Sequence, residues 1–242
     1  MLQVPGYTIA ERFVAARSTV LYRGVRDADG KRVLLKLIDE EFPSLVVVEG
    51  LRREYRFASR PYGDRVLRAL SLLTVRNGPG IVFEDPDCVP LAEALRSATP
   101  RPRESLLVAL AACEALIDVH GEGVVPNAVS PSTILCSRDF QRVKLFDFSL
   151  ASLQSTGKNR GKVSYEGSYA HAAPELIGRI DREVDCRSDL YSLGVTLYEL
   201  FTGSPPFGGN DHELVYGHVA RAPEEPRKKN PSVPQAVSDV VM

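Results

Sequence analysis

The sequence predicts an α+β protein whose first third is a small, mainly antiparallel sheet with one helix, and whose remainder is mainly helical. Short β-rich runs separated by turn signals fill the chain from Tyr7 to about Phe83. After Pro86 the apolar residues fall at helical spacing. The segment SDLYSLGVTLYELFTG at 188–203 is almost wholly apolar in its middle, as a buried helix should be. With 242 residues and 44% hydrophobic content, the chain can bury a real core, either as one large domain or as two small packed lobes.

In order along the chain, the strands are YTIAERF, STVLYRGV, KRVLLKLID and GPGIVFED, set apart by RDADGK and RNGPG. Residues 49–60, EGLRREYRFASR, place Leu51, Tyr55 and Ala58 on one helix face at i, i+4 and i+7. Helices follow at 91–97 and 103–120, the second with an apolar stripe of Leu106, Leu110, Cys113 and Ile117. The prolines of RSATPRPR stop the first helix and start the second. QRVKLFDF at 141–148 reads as a short strand, and 155–168 as a polar, glycine-bearing surface loop. Lys158, Arg160 and Lys162 in that loop read first as a solvated basic face and only second as a dock for an acidic partner. The buried helix begins at Ser188-Asp189 and stops at Gly203.

Several function classes are excluded. Thirty Lys and Arg stand against 31 Asp and Glu, so the net charge of -1 gives no general pull toward nucleic acid or an anionic membrane. The longest apolar stretch, LLVALAAC at 106–113, is too short for a membrane span. The N-terminus carries no secretory pattern, which points to a cytoplasmic location. Cys88, Cys113, Cys136 and Cys186 form no C-x-x-C pair and read as reduced thiols, and the four histidines show no metal-ligand spacing.

A strand ending VLLK, a helix with a Glu, then VKLFDFS, AAPE and RSDLYSLGVTLYELFTGSPPF occur in a fixed order. In that order they resemble the eukaryotic-type protein kinase fold, above all bacterial serine/threonine kinase domains, from about Gly6 to Met242. The resemblance implies two lobes, residues 1–85 and 86–242, the second incomplete at its C-terminus. It makes Lys36 the strand lysine that holds nucleotide phosphates and Glu54 the helix glutamate that pairs with it. Asp147 becomes the Mg²⁺-binding carboxylate, followed by Phe148 and by Ser149 where glycine is usual. Phe83 and Glu84 lead into the adenine-contacting hinge, and Leu135 lines the same nucleotide site. Asp189 becomes the buried helix aspartate that ties the catalytic loop in place.

The departures from the family pattern fall on the chemistry. Where such kinases carry H-R-D-x-K-x-x-N, this chain reads PNAVSPST from Pro126 to Thr133, so Ala128, Ser130 and Thr133 replace the base, the lysine and the asparagine. A methyl group has no lone pair with which to accept a proton, and losing a base alone costs roughly 10²- to 10⁴-fold in rate. Val14, Ala16 and Thr19 occupy the three glycine positions of the phosphate loop, where side chains obstruct the approach of backbone N–H groups. Asp139, though it sits in an Arg-Asp pair, falls past the loop and reads as a turn residue. Ser168 matches the Ser/Thr of serine/threonine kinases, and Glu175 of AAPE is expected to lack the arginine that normally pairs with it.

The resemblance therefore implies a degenerate kinase, regulatory or scaffolding in bacterial signalling, that binds ATP weakly with Mg²⁺ and engages a protein partner or a fused or adjacent domain. The alternatives are an active serine/threonine kinase with an atypical loop, or another ATP-dependent transfer that needs no base at Ala128.

Overall fold

A computed structural model describes residues 3–16, 18–76, 78–154 and 167–242, with backbone alone at 14–16. The basic residues Lys158, Arg160 and Lys162 lie outside the described residues. The chain divides into two compact units: residues up to Asp87 together with Asp147–Ser149, and Cys88–Phe146 together with Leu150–Met242.

The first unit is an antiparallel sheet of β1 (Tyr7–Ala16), β2 (Thr19–Arg26), β3 (Arg32–Ile38), β4 (Ala69–Val75) and β5 (Gly78–Glu84), in spatial order β1-β2-β3-β5-β4. Helix α1 (Leu45–Ala58) lies between β3 and β4 in the chain and packs on β4 and β5. Strand β3 is buried on both faces, and this decides its sequence. Val33, Leu35 and Leu37 join Val4 and Val82 in one cluster, while Leu34 and Lys36 alternate onto the opposite face, level with Phe83 and Ile81 of β5.

Strand β4 is absent from the sequence-based expectation. It is an edge strand that turns Leu70 and Leu72 outward, so its apolar residues do not mark a buried face. The helix expected at 49–60 begins at Leu45, because the Ser44 side chain accepts the Val47 N–H and caps a start that runs through three valines. Its buried face is Leu51, Glu54, Phe57 and Ala58, with Tyr55 only partly covered.

The second unit carries β6 (Val89–Pro90), α2 (Leu91–Ser97), α3 (Pro102–Gly121), β7 (Val124–Val125), β8 (Ile134–Cys136), β9 (Val143–Leu145), β10 (Ser152–Leu153) and then α4 (Cys186–Thr202). Helices α5 (Asp211–Ala220), α6 (Pro226–Lys229) and α7 (Gln235–Val241) follow. The short strands pair as β6-β8-β9 and β7-β10. Helix α4 buries Ser192, Leu193, Val195, Thr196, Leu197 and Tyr198 among others and packs on α3, α6 and α7. Its start is corrected by the structure: the cap is Asp185, whose carboxylate accepts the Arg187 N–H, and Ser188 and Asp189 already lie inside the first turn. Its end is Gly203 at φ 82, a left-handed cap that glycine adopts without a Cβ penalty.

The apolar stripe expected on α3 is also corrected. The helix buries Val108, Ala111, Ala112, Ala115, Leu116 and Val119, whereas Leu106, Leu110 and Ile117 point outward. Three alanines let α3 approach its neighbours closely, and the larger leucines fall on the far side.

The anticipated fold class is the observed one: an antiparallel sheet with one helix, then a mainly helical portion. All four cysteines are free, Cys88 and Cys136 buried and Cys113 and Cys186 partly so. Among the described residues no group of three or more His, Cys, Asp and Glu could hold a metal ion. Among them, too, no helix is long and apolar enough to cross a membrane.

Gly24 in β2 marks a close backbone approach, since a Cβ there would meet the Thr8 carbonyl oxygen at 2.7 Å. Gly24→Ala is expected to destabilise the chain by about 1–3 kcal/mol through forced separation of β1 and β2. Urea unfolding measures the loss, and an unchanged midpoint would show that the two strands separate freely.

Candidate functional site

The first unit brings together the strand lysine, the helix glutamate and the aspartate. Lys36 Nζ lies 2.7 Å from Glu54 Oε2 and 3.1 Å from Asp147 Oδ2. Lys36 is 2% exposed and Glu54 0%, so both charges are out of water. One ammonium facing two carboxylates leaves the cluster net negative, and a buried excess charge must show in the proton affinities. Burial pushes the Glu54 carboxyl up to about 7, with the Asp147 charge adding to the push and Lys36 only partly offsetting it. Burial also works against the Lys36 charge, but the attraction of Asp147 and Glu54 outweighs it and holds the ammonium above the ordinary lysine range. For Asp147, burial opposes ionisation, yet Lys36 and the Ser149 N–H hold its carboxyl below the usual carboxylate range. Glu54 Oε1 is buried with no hydrogen-bond partner among the described residues.

The 147–149 segment is held locally as well as by charge. Asp147 sits at φ 68, and its Oδ1 accepts the Ser149 N–H at 3.1 Å, the self-closing turn that lets aspartate adopt a left-handed conformation. Phe148 is buried and stacks on Tyr62, with ring centroids 5.9 Å apart. Arg53 of α1 donates to the Ser149 carbonyl at 3.0 Å. Arg53 and Tyr62 carried no signal in the sequence, because neither stands in a motif.

The phosphate-loop positions lie in the β1-β2 pair, just past a register shift between Arg12 and Val14. Val14 pairs with Leu21 and Ala16 with Thr19, so the three replaced glycines continue the β1-β2 ladder, and the Thr19 side chain is buried. Phe83 is fully buried beside Leu34, and Glu84 ends β5 opposite Val33. Leu135 belongs to the second unit, fully buried on β8 between Pro90 and Lys144.

The second unit holds the loop 126–133 on a buried aspartate. Asp189 Oδ1 accepts the Asn127 N–H at 2.8 Å, and Oδ2 meets His120 Nε2 at 2.8 Å. Burial raises the Asp189 carboxyl's proton affinity, partly offset by its bond to His120. His120 was missed because a lone histidine at a helix end has no sequence signature. Asn127, at φ 61, donates from Nδ2 to the Leu150 carbonyl and to Ser152 Oγ, each at 3.0 Å.

Thr133 is turned inward on its own loop. Its hydroxyl donates to the Ala128 carbonyl at 2.6 Å and accepts the Ser130 N–H at 3.0 Å. Ser130 is buried and Ala128 half-buried. Asp139 is exposed and closes its turn by accepting from the Gln141 N–H and the Ser137 hydroxyl. Ser168 is exposed, and its carbonyl accepts the His171 N–H. Glu175 is held by a neighbour that the sequence did not point to: the Ser188 hydroxyl donates to its Oε1 at 2.7 Å.

An ammonium beside an ionised carboxylate is a donor set that suits a nucleotide phosphate and one Mg²⁺. Lys36 would hold the phosphate and Asp147 the metal. Thr133 does not suit a second metal, because its one hydroxyl is engaged with the loop backbone.

This geometry is that of a bacterial, eukaryotic-type protein kinase domain. The sequence model of the protein kinase domain matches residues 16–241, and the chain belongs to that family. The serine/threonine-protein kinase PknB of Mycolicibacterium smegmatis is 34% identical over 168 residues, covering 68% of this chain and 26% of that protein. The DNA damage-responsive serine/threonine-protein kinase RqkA of Deinococcus radiodurans is 39% identical over 147 residues, 59% of this chain and 21% of that protein. PknB of Mycobacterium tuberculosis is 33% identical over 168 residues, 68% and 26% of the two chains. The match thus spans about a quarter of the length of these curated relatives.

Because its folded value lies above that of the unfolded chain, Glu54 contributes stability that is fully present below pH about 4.5 and is lost as pH rises through about 7. Lys36→Met removes the cation from between two carboxylates. It is expected to cost about 3–5 kcal/mol near pH ~8 and distinctly less near pH ~5, where Glu54 takes up a proton. Urea unfolding of both proteins at the two pH values reads the difference, and a pH-independent cost would mean that Glu54 carries no charge at pH ~8.

Proposed function

We propose that this chain is a catalytically impaired protein kinase domain that serves as a regulatory or scaffolding module in bacterial signalling. The observation that carries the reading is the loop 126–133. It offers no carboxylate at Ala128, a buried hydroxyl at Ser130, and at Thr133 an oxygen engaged with its own backbone. Positioning and electrostatic stabilisation carry most of phosphoryl transfer, and this loop supplies none of the groups that would orient an acceptor hydroxyl or neutralise the transferring group.

In this reading the two units are the lobes of the kinase fold, and Lys36, Glu54 and Asp147 remain as a nucleotide anchor. ATP with Mg²⁺ binds weakly as a conformational ligand, because the glycine-less hairpin gives the phosphates little backbone support. The partner is a protein, or a domain fused or adjacent to this one, as the far greater length of the relatives suggests. The location is the cytoplasm. The second reading, an active serine/threonine kinase with an atypical loop, draws on the intact Lys36–Glu54–Asp147 cluster.

Purified chain incubated with radiolabelled ATP and Mg²⁺ is expected to transfer no label to itself or to a generic substrate. Label incorporation that disappears in Asp147→Ala would establish the active-kinase reading instead. In a thermal-shift titration, millimolar ATP with Mg²⁺ is expected to raise the unfolding midpoint of the wild type and to leave Lys36→Met unmoved. No shift in either protein would reduce the domain to an interaction module without nucleotide.

A further inference from the structure

The outward face of α3 carries an apolar seam. Leu106 is 44% exposed, Leu110 58% and Ile117 70%, with Cys113 partly exposed between them. Isolated surface leucines need no explanation, but these four residues advance by four, three and four along one helix. That is the alternating spacing of a helix–helix seam, on the side away from the Val108, Ala112 and Val119 face that packs into the second unit.

The seam is self-complementary when read backwards. In an antiparallel pair of such helices with the two-fold axis at mid-seam, Leu106 lies opposite Ile117 of the other copy, and Leu110 opposite its Cys113. On this flank Arg103 and Asp118 agree with this direction, while Glu114 lies nearer the two-fold axis. Arg103, exposed at the N-terminal end of the same face, comes level with the C-terminal turn of the other helix, where Asp118 stands on the same flank. A parallel pair would instead leave Arg103 at the level of the other copy's Arg103, about four helical turns from either Asp118. Antiparallel packing also sets the positive end of each helix dipole against the negative end of the other.

We propose that the α3 face is a homotypic docking surface, on which a second copy of this chain pairs antiparallel, α3 against α3. Pairing puts Leu106, Leu110 and Ile117 of each copy out of water and matches Arg103 with Asp118 twice. A seam of this size belongs to the small, transient class of interfaces, so the dimer forms reversibly and at high concentration, or wherever a scaffold gathers copies together. The inference stands whether or not the domain transfers phosphate.

Sedimentation equilibrium of the whole chain tests it, with mass expected to rise from monomer toward dimer as concentration increases. Leu110→Glu, at an exposed position, should leave the thermal midpoint unchanged and raise the dimer dissociation constant about tenfold or more. Arg103→Glu and Asp118→Arg should each weaken association, and the double variant should restore it, a pattern that neither aggregation nor a folding defect reproduces. A short bis-maleimide should link the pair through Cys113 in the wild type and not in Cys113→Ser. A chain that stays monomeric throughout overturns the proposal and gives the face to a different protein, and so does a dimer indifferent to Leu110→Glu and to the charge reversals.

Discussion

The first unit depends on an ammonium group that has nowhere else to go. Lys36 sits on a strand buried on both faces, so its charge must be answered inside the protein. The answer comes from two places distant in the chain: Glu54 on α1, and Asp147 in a three-residue segment that returns from more than sixty residues beyond β5. One cation thereby fixes the depth of the helix on the sheet and the position of the returning segment. Replacing such a cluster by apolar side chains can be neutral or better for stability, so its presence is weak evidence of a need for stability. It fits more readily with a site whose charge has a use, and Glu54, pushed up first by burial and then by the Asp147 charge, holds its proton to an unusually high pH.

The second unit solves a parallel problem with the opposite sign. Asp189 is a buried anion answered by His120 and by the Asn127 N–H, which leaves both of its oxygens occupied and the start of the loop pinned. Asn127 then passes the constraint on, holding Leu150 and Ser152 at the edge where β10 joins β7. The anchor that would hold the start of a catalytic loop is therefore in place. At the three positions where the family pattern has its base, lysine and asparagine stand a methyl group and two hydroxyls turned into the protein.

How much of this could be read in the sequence varied with the kind of information each feature needs. Lys36, Asp147 and Asp189 were legible because they stand in ordered motifs, and Gly203 because a left-handed cap has few candidates. The phase of α3 was not. That helix is apolar nearly all the way round, and the eye follows leucine, whereas the packed side was chosen by Ala111, Ala112 and Ala115, whose small size permits close approach. Strand β4 escaped because an edge strand exposes the leucines that would advertise a core. Partners such as His120, Arg53 and Ser188 were invisible for a simpler reason: a hydrogen bond between residues 69, 96 or 13 positions apart leaves no local pattern.

Thr133 is built into the shape of its own loop. An asparagine in that place, as the family pattern has it, projects an amide oxygen beyond the loop toward a metal. Threonine is shorter by the length of the amide, and its β-branch restricts it to rotamers that keep the hydroxyl near the chain. From there it can do what short hydroxyl side chains do best, bridging the Ala128 carbonyl and the Ser130 N–H within one turn. The Thr133 N–H adds a bond to the Ser130 carbonyl, which closes the turn further. The replacements at Ala128 and Thr133 leave a methyl group and a hydroxyl that is bound to the backbone of its own turn.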